Sequence, residues 1–408
     1  MLNPKTNQRE LAYVVAIDAI HPIEGADKVE LAIVGGWSIM VRKNQFKVND
    51  LAIYIEIDSR VPEKEPFMFL ASKNFKIKTQ KYFKGKVISQ GLLMHPNDFG
   101  WELQVDGTIW NPDAGDHGCY RLGEFLTETL GITYADAADN KRKAPSEDKY
   151  KKMARRHGKL FSKQPFRWLM KREWGKKFLF IFFGKKKDKK NAWPAHVKKT
   201  DEERCQNMPW LFPGKDKEYI ATEKIDGTST TFTMFGKKRE FLVCSRNVVF
   251  DKPDKKCYYE TNVYIEMAQK YDIENVLTKL MKGEVINFHP TYVTLQGETY
   301  GEGIQKRDYG LKEQKFMAFN LIFGMPDGRA KRLNPREMTD VLSKFDIPCV
   351  PIVDEHFKIP ATCDELLEIA AGPSAIDGGM REGLVFRSID GVESFKAVSN
   401  AFLLKYHT

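Results

Sequence analysis

The chain has 408 residues, of which 42% are hydrophobic and 12% aromatic, so it is long enough for at least two compact domains. The polar N-terminus lacks the apolar core of a signal peptide, and the longest apolar run, FLFIFF at 178–183, falls far short of the roughly 20 residues that cross a bilayer. The six cysteines form no C-x-x-C pair and no zinc-like spacing, so we expect an intracellular, cytoplasmic protein without a membrane partner.

The net charge of +10 is concentrated in one segment. Residues 141–200 contain 22 Lys and Arg against 4 Asp and Glu, a net +18, which leaves −8 for the remainder of the chain. Cationic segments of this kind commonly bind phosphate backbones, so this segment is a candidate for nucleic-acid contact.

Residues 10 to about 115 are predicted to form a small β-rich module. The stretches LAYVVAIDAI, VELAIVGGWSIMVRK and DLAIYIEIDS are β-branched or alternating, and turn signals separate them. Short strands at this spacing predict a barrel or sandwich, and we favour an OB-type barrel. The stretch 73–93, KNFKIKTQKYFKGKVISQGLL, interleaves Lys with Phe and Tyr, which suits either single-stranded nucleic acid or a lysine-protected edge strand.

Residues 140–192 are predicted to be a basic linker or insert. Phe166, Leu169, Met170 and Trp174 recur at near-helical spacing and predict a short amphipathic helix. FLFIFF lies between lysines and is predicted to be a strand whose charged neighbours discourage aggregation. A solvated linker is the favoured interpretation of the whole segment, and RNA contact and membrane-surface association are the alternatives.

From residue 193 the composition returns to a mixture of helix and strand signals. The runs EYIATEKI, TTFTMF, EFLVCS, VTLQGETY, KFMAFNLIF and GLVFRS favour strands. Helices are predicted in NVYIEMAQKYDIENVLTKLM, NPREMTDVLSKF and ATCDELLEIAA, and the last opens with a capping box between Thr362 and Glu365.

The stretch ATEKIDGTSTTF at 221–232 places Lys224 and Asp226 two residues apart. In a strand these side chains point to the same face, and Gly227 then begins a turn. One interpretation is a surface ion pair that contributes less than about 1 kcal/mol. The other is a nucleophilic amine beside a metal-ordering acid, and the motif alone does not choose between them.

Further stretches follow in a fixed order, namely SRN (245–247), LQGETYGEG (295–303), FMAFN (316–320), REGLVFRS (381–388) and SFKAVSNAFLLK (394–405). Together with EKIDG, they resemble the covalent nucleotidyltransferase superfamily, which comprises ATP-dependent ligases and mRNA capping enzymes. The resemblance implies that Lys224 takes AMP from ATP as a lysyl-AMP. A free lysine has a pKa near about 10.4, so burial and a divalent cation are expected to favour its reactive, neutral form.

The resemblance also implies a metal site and a nucleobase site. Three acids, Asp226, Glu298 and Glu382, are expected to hold Mg²⁺ or Mn²⁺ or its waters. Phe319 is expected to stack on adenine, with Phe316 as the competing candidate. Glu223 is expected near the adenine edge.

Phosphate contacts are implied for several cations. Arg246 is expected beside the nucleotide phosphate or ribose, and Lys396 is expected to bind the α-phosphate. Many relatives carry a second lysine where this chain has Val398, and Lys405 is the candidate replacement.

The stretch KKTDEERCQNMPWL at 198–211 resembles the region before the nucleophile in one RNA ligase subgroup. Lys199 and Arg204 are then candidates for the β- and γ-phosphates. A helix capped by Thr200 or Asp201 is the competing interpretation.

The order of domains favours one branch of the superfamily. Only three residues follow Lys405, whereas DNA ligases and capping enzymes carry an OB domain after the last motif. HPIEGADKVELAIVGGW and IKTQKYFKGKVISQGLL instead resemble the N-terminal OB module of a subgroup of ATP-dependent RNA ligases.

We therefore predict an α+β protein with an OB-like β-barrel at 1–120, a basic linker at 121–192 and a nucleotidyltransferase domain of antiparallel sheets and helices at 193–408. The predicted activity is ATP-dependent joining of 3′-OH and 5′-phosphate RNA ends by a monomer, which is expected to bind RNA and which a virus or phage could encode. The alternatives are a nicked-DNA ligase or an RNA guanylyltransferase on the same core, and a catalytically inactive RNA-binding protein.

Overall fold

A computed structural model describes residues 1–3, 5–6, 8–135, 163–183, 193–198, 200–214, 216–250, 257 and 259–406. By their contacts the residues form two units, one of 1–134 with 193–408 and one of 135–192. Among the described residues, no helix is both long and apolar enough to cross a lipid bilayer.

The N-terminal module is built from short, mostly antiparallel strands. They are β1 (Ala12–Ala16), β2 (Ala19–Pro22), β3 (Val29–Val34), β4 (Trp37–Arg42), β5 (Leu51–Ile55), β6 (Ser59–Arg60), β7 (Gln80–Tyr82), β8 (Val87–Ser89), β9 (Leu92–Met94), β10 (Glu102–Leu103), β11 (Ile109–Trp110), β12 (Cys119–Tyr120) and β13 (Thr133–Tyr134). The sheets have the orders β1-β5-β9, β2-β3-β4, β10-β11-β12, β6-β13 and β7-β8. Because β13 pairs with β6, the pairing of this module continues beyond the predicted boundary at residue 120.

The hairpin of β3 and β4 follows from its turn. Val34 lies opposite Trp37, so the loop consists of Gly35 and Gly36 alone. Both glycines have positive φ, +52° and +80°, as a two-residue turn of the twist-matching kind requires. Ala32, Val34, Trp37 and Ile39 are almost fully buried and fill the core that this hairpin covers.

Two large sheets form the C-terminal part of the same unit. The strands are β14 (Glu203–Arg204), β15 (Glu218–Lys224), β16 (Thr228–Phe235), β17 (Glu240–Ser245), β18 (Val249–Phe250), β19 (Tyr292–Gly301), β20 (Gln314–Gly324), β21 (Ala330–Arg332), β22 (Ile352–Lys358), β23 (Gly383–Ser388) and β24 (Ser394–Val398). One sheet has the order β14-β24-β23-β15-β22 and the other β18-β17-β16-β19-β20-β21. The strands expected from residue 218 onward are confirmed, and most of their pairs are antiparallel.

Helices cover one face of each large sheet. They are α3 (Val263–Lys270), α4 (Ile273–Met281), α5 (Pro335–Leu342), α6 (Cys363–Ala370) and α7 (Asn400–Tyr406), after α1 (Gln164–Met170) and α2 (Glu173–Phe183) of the basic segment. The single helix expected at 262–281 is two helices, because Asp272 adopts φ +47° and interrupts the hydrogen-bond ladder. The capping box of Thr362 and Glu365 is confirmed at the start of α6.

The prediction of a strand at FLFIFF is wrong. Residues 178–183 form the last part of α2, an 11-residue helix. A short apolar run does not distinguish strand from helix, and a helix satisfies its own backbone without a partner strand. Trp168 of α1 and Trp174 of α2 are about half exposed. The Arg172 guanidinium, between the two helices, lies 3.8 Å from the ring centroid of Trp168.

The N-terminal module packs directly on the C-terminal part through a seam formed by β8 and α7. Ile88 packs against Val398 and Leu403. Lys81 Nζ donates a hydrogen bond to the carbonyl oxygen of Leu404 at 2.8 Å. Apolar packing and one hydrogen bond thus hold the N-terminal module and the C-terminal part together at this seam.

Candidate active site

A pocket of about 510 Å³ opens between the two large sheets. It brings together nine of the residues expected at the site, namely Arg204, Glu223, Lys224, Asp226, Arg246, Glu298, Phe319, Glu382 and Lys396. They come from strands and loops that are far apart in sequence, so the pairing of the sheets assembles the pocket. Lys405 does not line it, and Lys199 lies outside the described residues.

Strand pairing places the nucleophile candidate beside an acid. Lys224 is opposite Gly383, so Glu382 immediately precedes the partner position. Lys224 Nζ donates to Glu382 Oε2 at 2.7 Å, and the two side chains are only 26% and 8% exposed. Burial lowers the pKa of Lys224, but Glu382, Glu298 and Asp226 outweigh it and raise that pKa above the ordinary value. Without a further cation the amine is therefore protonated.

The three acids carry more negative charge than the lysine alone balances. Burial raises the pKa of Glu298 to about 8, and Glu382 and Asp226 add to the rise while Lys224 opposes it. Carboxylate oxygens are the ligands that Mg²⁺ and Mn²⁺ prefer, so this surplus of acids fits a divalent cation. Within the described part of the chain, no group of three or more His, Cys, Asp or Glu side chains is arranged so that it could hold a metal ion.

The loop after the nucleophile is held by the segment between β19 and β20. The Asp226 backbone N–H donates to the Tyr309 hydroxyl at 2.7 Å, and Gln305 Nε2 donates to the Gly227 carbonyl at 3.1 Å. A Cβ at Gly227 would lie 2.8 Å from Glu298 Cγ and closer still to the carbonyl of Thr299, so only glycine fits this approach. Tyr309 was missed in the sequence, where it belongs to no recognisable spacing.

Lys396 and Arg246 meet at one carboxylate. Asp201 Oδ1 accepts from Lys396 Nζ at 2.9 Å, and Oδ2 accepts from Arg246 Nη2 at 2.5 Å. Burial is the largest influence on Lys396 and lowers its pKa. The helix that Thr200 or Asp201 was suggested to cap is absent from residues 200–207, where β14 and a short turn follow instead.

The apolar side of the pocket can receive a flat ring. Phe319, Val350, Val385 and Ile225 line it. Phe316, the competing candidate, is fully buried in the core of the six-stranded sheet, 5.3 Å from the ring of Phe232, and is unavailable to a ligand.

Glu223 points away from the face that carries Lys224, as alternation along β15 requires. Its two carboxylate oxygens accept from Ser374 Oγ at 2.5 Å and from the Ala375 N–H at 2.7 Å. The side chain thereby fixes the 374–375 loop to the strand of the nucleophile.

Two arginines add to the positive charge of the pocket. Lys396 of β24 lies opposite Arg204 of β14 on one side and opposite Val385 of β23 on the other. Arg387 is two positions beyond Val385 on β23, so its side chain points to the same face of the sheet. Arg387 is 4% exposed, and burial lowers its pKa to about 10. Within the described residues, Arg387 Nε and Nη1 and Arg204 Nη1 have no hydrogen-bond partner, as expected of groups that await an anion. Arg387 was not singled out in the sequence, although it stands in the REGLVFRS motif.

Two protein-family models match parts of this chain. Residues 217–407 match the RNA ligase family, and residues 11–96 match an OB-fold domain family, which confirms the expected N-terminal fold. Comparison with curated proteins gives no match.

Three solved structures of a Naegleria gruberi RNA ligase are similar over the whole chain. The complex with PPi is 27% identical with a TM-score of 0.62 and covers 98% of this chain and 99% of that one. A lysine mutant with AMP and Mn is 26% identical with a TM-score of 0.63 and the same coverage, and another with ATP and Mn is 26% identical with a TM-score of 0.63 over 97% and 99%. The expected α+β architecture is confirmed.

Proposed function

We propose that this chain, whose residues 217–407 match the RNA ligase family, joins a 3′-OH RNA end to a 5′-phosphate end at the expense of ATP. The observation that carries the proposal is the buried contact of Lys224 with Glu382 in a pocket that also holds Asp226, Glu298 and Lys396. The similar Naegleria gruberi ligase has been solved with ATP and with AMP, which supports ATP as the nucleotide.

The first step transfers AMP to the enzyme. Neutral Lys224 Nζ attacks the α-phosphorus of ATP, the bond from that phosphorus to the bridging oxygen breaks, and pyrophosphate leaves. The amine proton passes to solvent or to a neighbouring carboxylate. Lys396 and Arg246 lie where they can balance the charge on the phosphate oxygens.

The next two steps transfer AMP to RNA and remove it. An oxygen of the RNA 5′-phosphate attacks the phosphorus of lysyl-AMP, the phosphorus–nitrogen bond breaks, and the Lys224 amine takes up a proton as it leaves. The 3′-OH of the other end then attacks the 5′-phosphate, loses its proton and releases AMP. Each step takes place at a phosphorus centre and places negative charge on phosphate oxygens, so one set of cations serves all three.

Asp226, Glu298 and Glu382 would hold a divalent cation or its waters. When bound, the cation offsets negative charge on phosphate and carboxylate oxygens. The same three acids keep Lys224 protonated in the free protein, so their charge must be balanced before the amine reacts.

We assign the adenine to the side of the pocket formed by Phe319 and Val385. Glu223 acts there through the 374–375 loop that its carboxylate holds. The basic segment at 141–200 and the N-terminal OB module are proposed to hold the RNA strand, which predicts binding that weakens steeply with salt.

The test is incubation with α-labelled ATP or α-labelled GTP and Mg²⁺ or Mn²⁺, followed by denaturing electrophoresis. We expect covalent label from ATP with the wild type and none with Lys224→Ala. Addition of nicked duplexes with RNA or DNA at the break should release the label as AMP and give a sealed strand where the ends are RNA. Label that survives Lys224→Ala, or that comes only from GTP, would overturn the proposal.

A further inference from the structure

The carboxylate of Asp201 joins the two cations that the proposed mechanism assigns to phosphate. One carboxylate oxygen is bound to Lys396 and the other to Arg246, at 2.9 and 2.5 Å. Burial raises the pKa of Asp201, but Lys396 and Arg246 outweigh it and lower that pKa on balance, so the group is a full anion at neutral pH. A phosphate group of ATP would likewise present two oxygens to these two cations.

The residues beside Asp201 are fixed to the protein. Thr200 Oγ1 is hydrogen-bonded to Ser229 Oγ at 2.8 Å. Glu202 Oε1 lies 3.5 Å from Arg387 Nη2 and 3.7 Å from Arg332 Nη1. These contacts keep the Asp201 side chain at the mouth of the pocket.

Asp201 itself is held weakly. Its side chain is 57% exposed, and Arg246 is 61% exposed, so solvent screens their attraction. A change of side-chain rotamer is enough to release both cations without moving the backbone that Thr200 and Glu202 anchor.

We propose that Asp201 is a built-in competitor for the phosphates of the nucleotide. Its carboxylate occupies Arg246 and Lys396 in the free protein, and the incoming triphosphate displaces it. After pyrophosphate has left, Asp201 returns to the cations and hinders the reverse step, in which a pyrophosphate oxygen attacks the phosphorus of lysyl-AMP and regenerates ATP. This inference rests on the proposed function of the same pocket.

The first test is binding of inorganic tripolyphosphate to the full chain by calorimetry, for the wild type and for Asp201→Asn. The asparagine keeps the shape and removes the charge. Since two ion pairs compete with the ligand, and solvent reaches the Asp201 side of both, we expect the Kd to fall by about threefold to tenfold. If Asp201 only stabilised the fold, Asp201→Asn would loosen the pocket and weaken tripolyphosphate binding. A gain in affinity therefore distinguishes the proposed role from a structural one.

A matched control is available in a different cleft of the protein. Glu313 is also 57% exposed and also lies between two cations, Lys270 at 2.8 Å and Lys315 at 3.8 Å, but it lines a different cleft. Glu313→Gln therefore removes an equivalent charge, and tripolyphosphate binding should stay as in the wild type.

The second test is discharge of labelled lysyl-AMP by pyrophosphate. In Asp201→Asn, half of the label should be lost at a pyrophosphate concentration about threefold to tenfold lower than in the wild type. Unchanged or weaker tripolyphosphate binding in Asp201→Asn would overturn the inference. Absence of any AMP label on the wild type would overturn the proposed function, and the calorimetry would still decide the role of Asp201.

Discussion

The Nζ atom of Lys224 lies 2.7 Å from Oε2 of Glu382, although 158 residues separate the two in the chain. The contact exists because β15 and β23 are antiparallel neighbours in one sheet. The charge on the nucleophile is therefore set by an acid from a different motif, and changes in either residue affect the other.

Lys224→Arg should abolish the AMP label while the protein stays folded. Arginine keeps a positive charge beside Glu382, but its guanidinium does not lose a proton in proteins and offers no nucleophile. Labelling with α-labelled ATP measures the loss, and circular dichroism checks the fold. Lys331→Arg on the exposed strand β21 is the control and should label fully; a labelled Lys224→Arg protein would exclude this lysine as the site.

Glu298→Gln should make the metal-free protein more stable at pH 8 than the wild type. The pKa of Glu298 is about 8 in the folded protein and about 4.3 in an unfolded chain, so the folded state binds the extra proton between these values. The free energy of unfolding of the wild type therefore falls as the pH rises from about 4.3 to about 8, and glutamine removes this fall.

Thermal unfolding in a chelator at pH 5 and pH 8 measures the difference. Glu240→Gln on the exposed end of β17 is the control and should follow the wild type at both pH values. Equal curves for Glu298→Gln and the wild type at pH 8 would contradict the assignment of a buried acid.

Tyr309→Phe should destabilise the protein by about 1–3 kcal/mol, because the buried Asp226 N–H loses its acceptor. It should also slow formation of lysyl-AMP, since Asp226 is then less firmly placed. Urea unfolding and single-turnover labelling measure the two effects. Tyr300→Phe, which removes a hydroxyl from the ring packed edge-on against Tyr309 at 5.3 Å, should leave the labelling rate near that of the wild type.

Removal of divalent cations should stop the AMP label and leave the fold intact. The acids around Lys224 then keep it protonated, and nothing offsets the charge of ATP. Mn²⁺ added to the chelated protein should restore labelling and raise the unfolding temperature, because it binds the folded state. Asp226→Asn should weaken that rise; an equal rise in both proteins would place the cation elsewhere.

The chemistry of the site was predictable because it depends on residue types at fixed spacing. Lys224 is the last residue of β15, and Asp226 lies in the loop that follows. Glu298, Phe319 and Lys396 stand in strands that line the same pocket. The partners that position these residues were not predictable. Tyr309 and Ser374 stand in loops, and only the folded chain brings them to Asp226 and Glu223.

Secondary structure was predicted best where hydrophobic residues recur at a regular spacing over a long stretch of the sequence. Six strands of the two large sheets and the start of α6 follow that rule, whereas β14, β18, β21, β22 and β24 were not predicted. The run at 178–183 was too short for its period to separate strand from helix, and the break at Asp272 carries no glycine or proline to announce it. The role of Asp201 escaped notice because its carboxylate was weighed only as a helix cap.

Val398 belongs to the seam between the N-terminal module and the C-terminal part. This position points to the same face as Lys396 and lines the pocket, and Val398 is 2% exposed and packed against Ile88. A lysine at position 398 would place an ammonium group against Ile88 in this seam, so we expect Val398→Lys to weaken the packing of the N-terminal module on the C-terminal part.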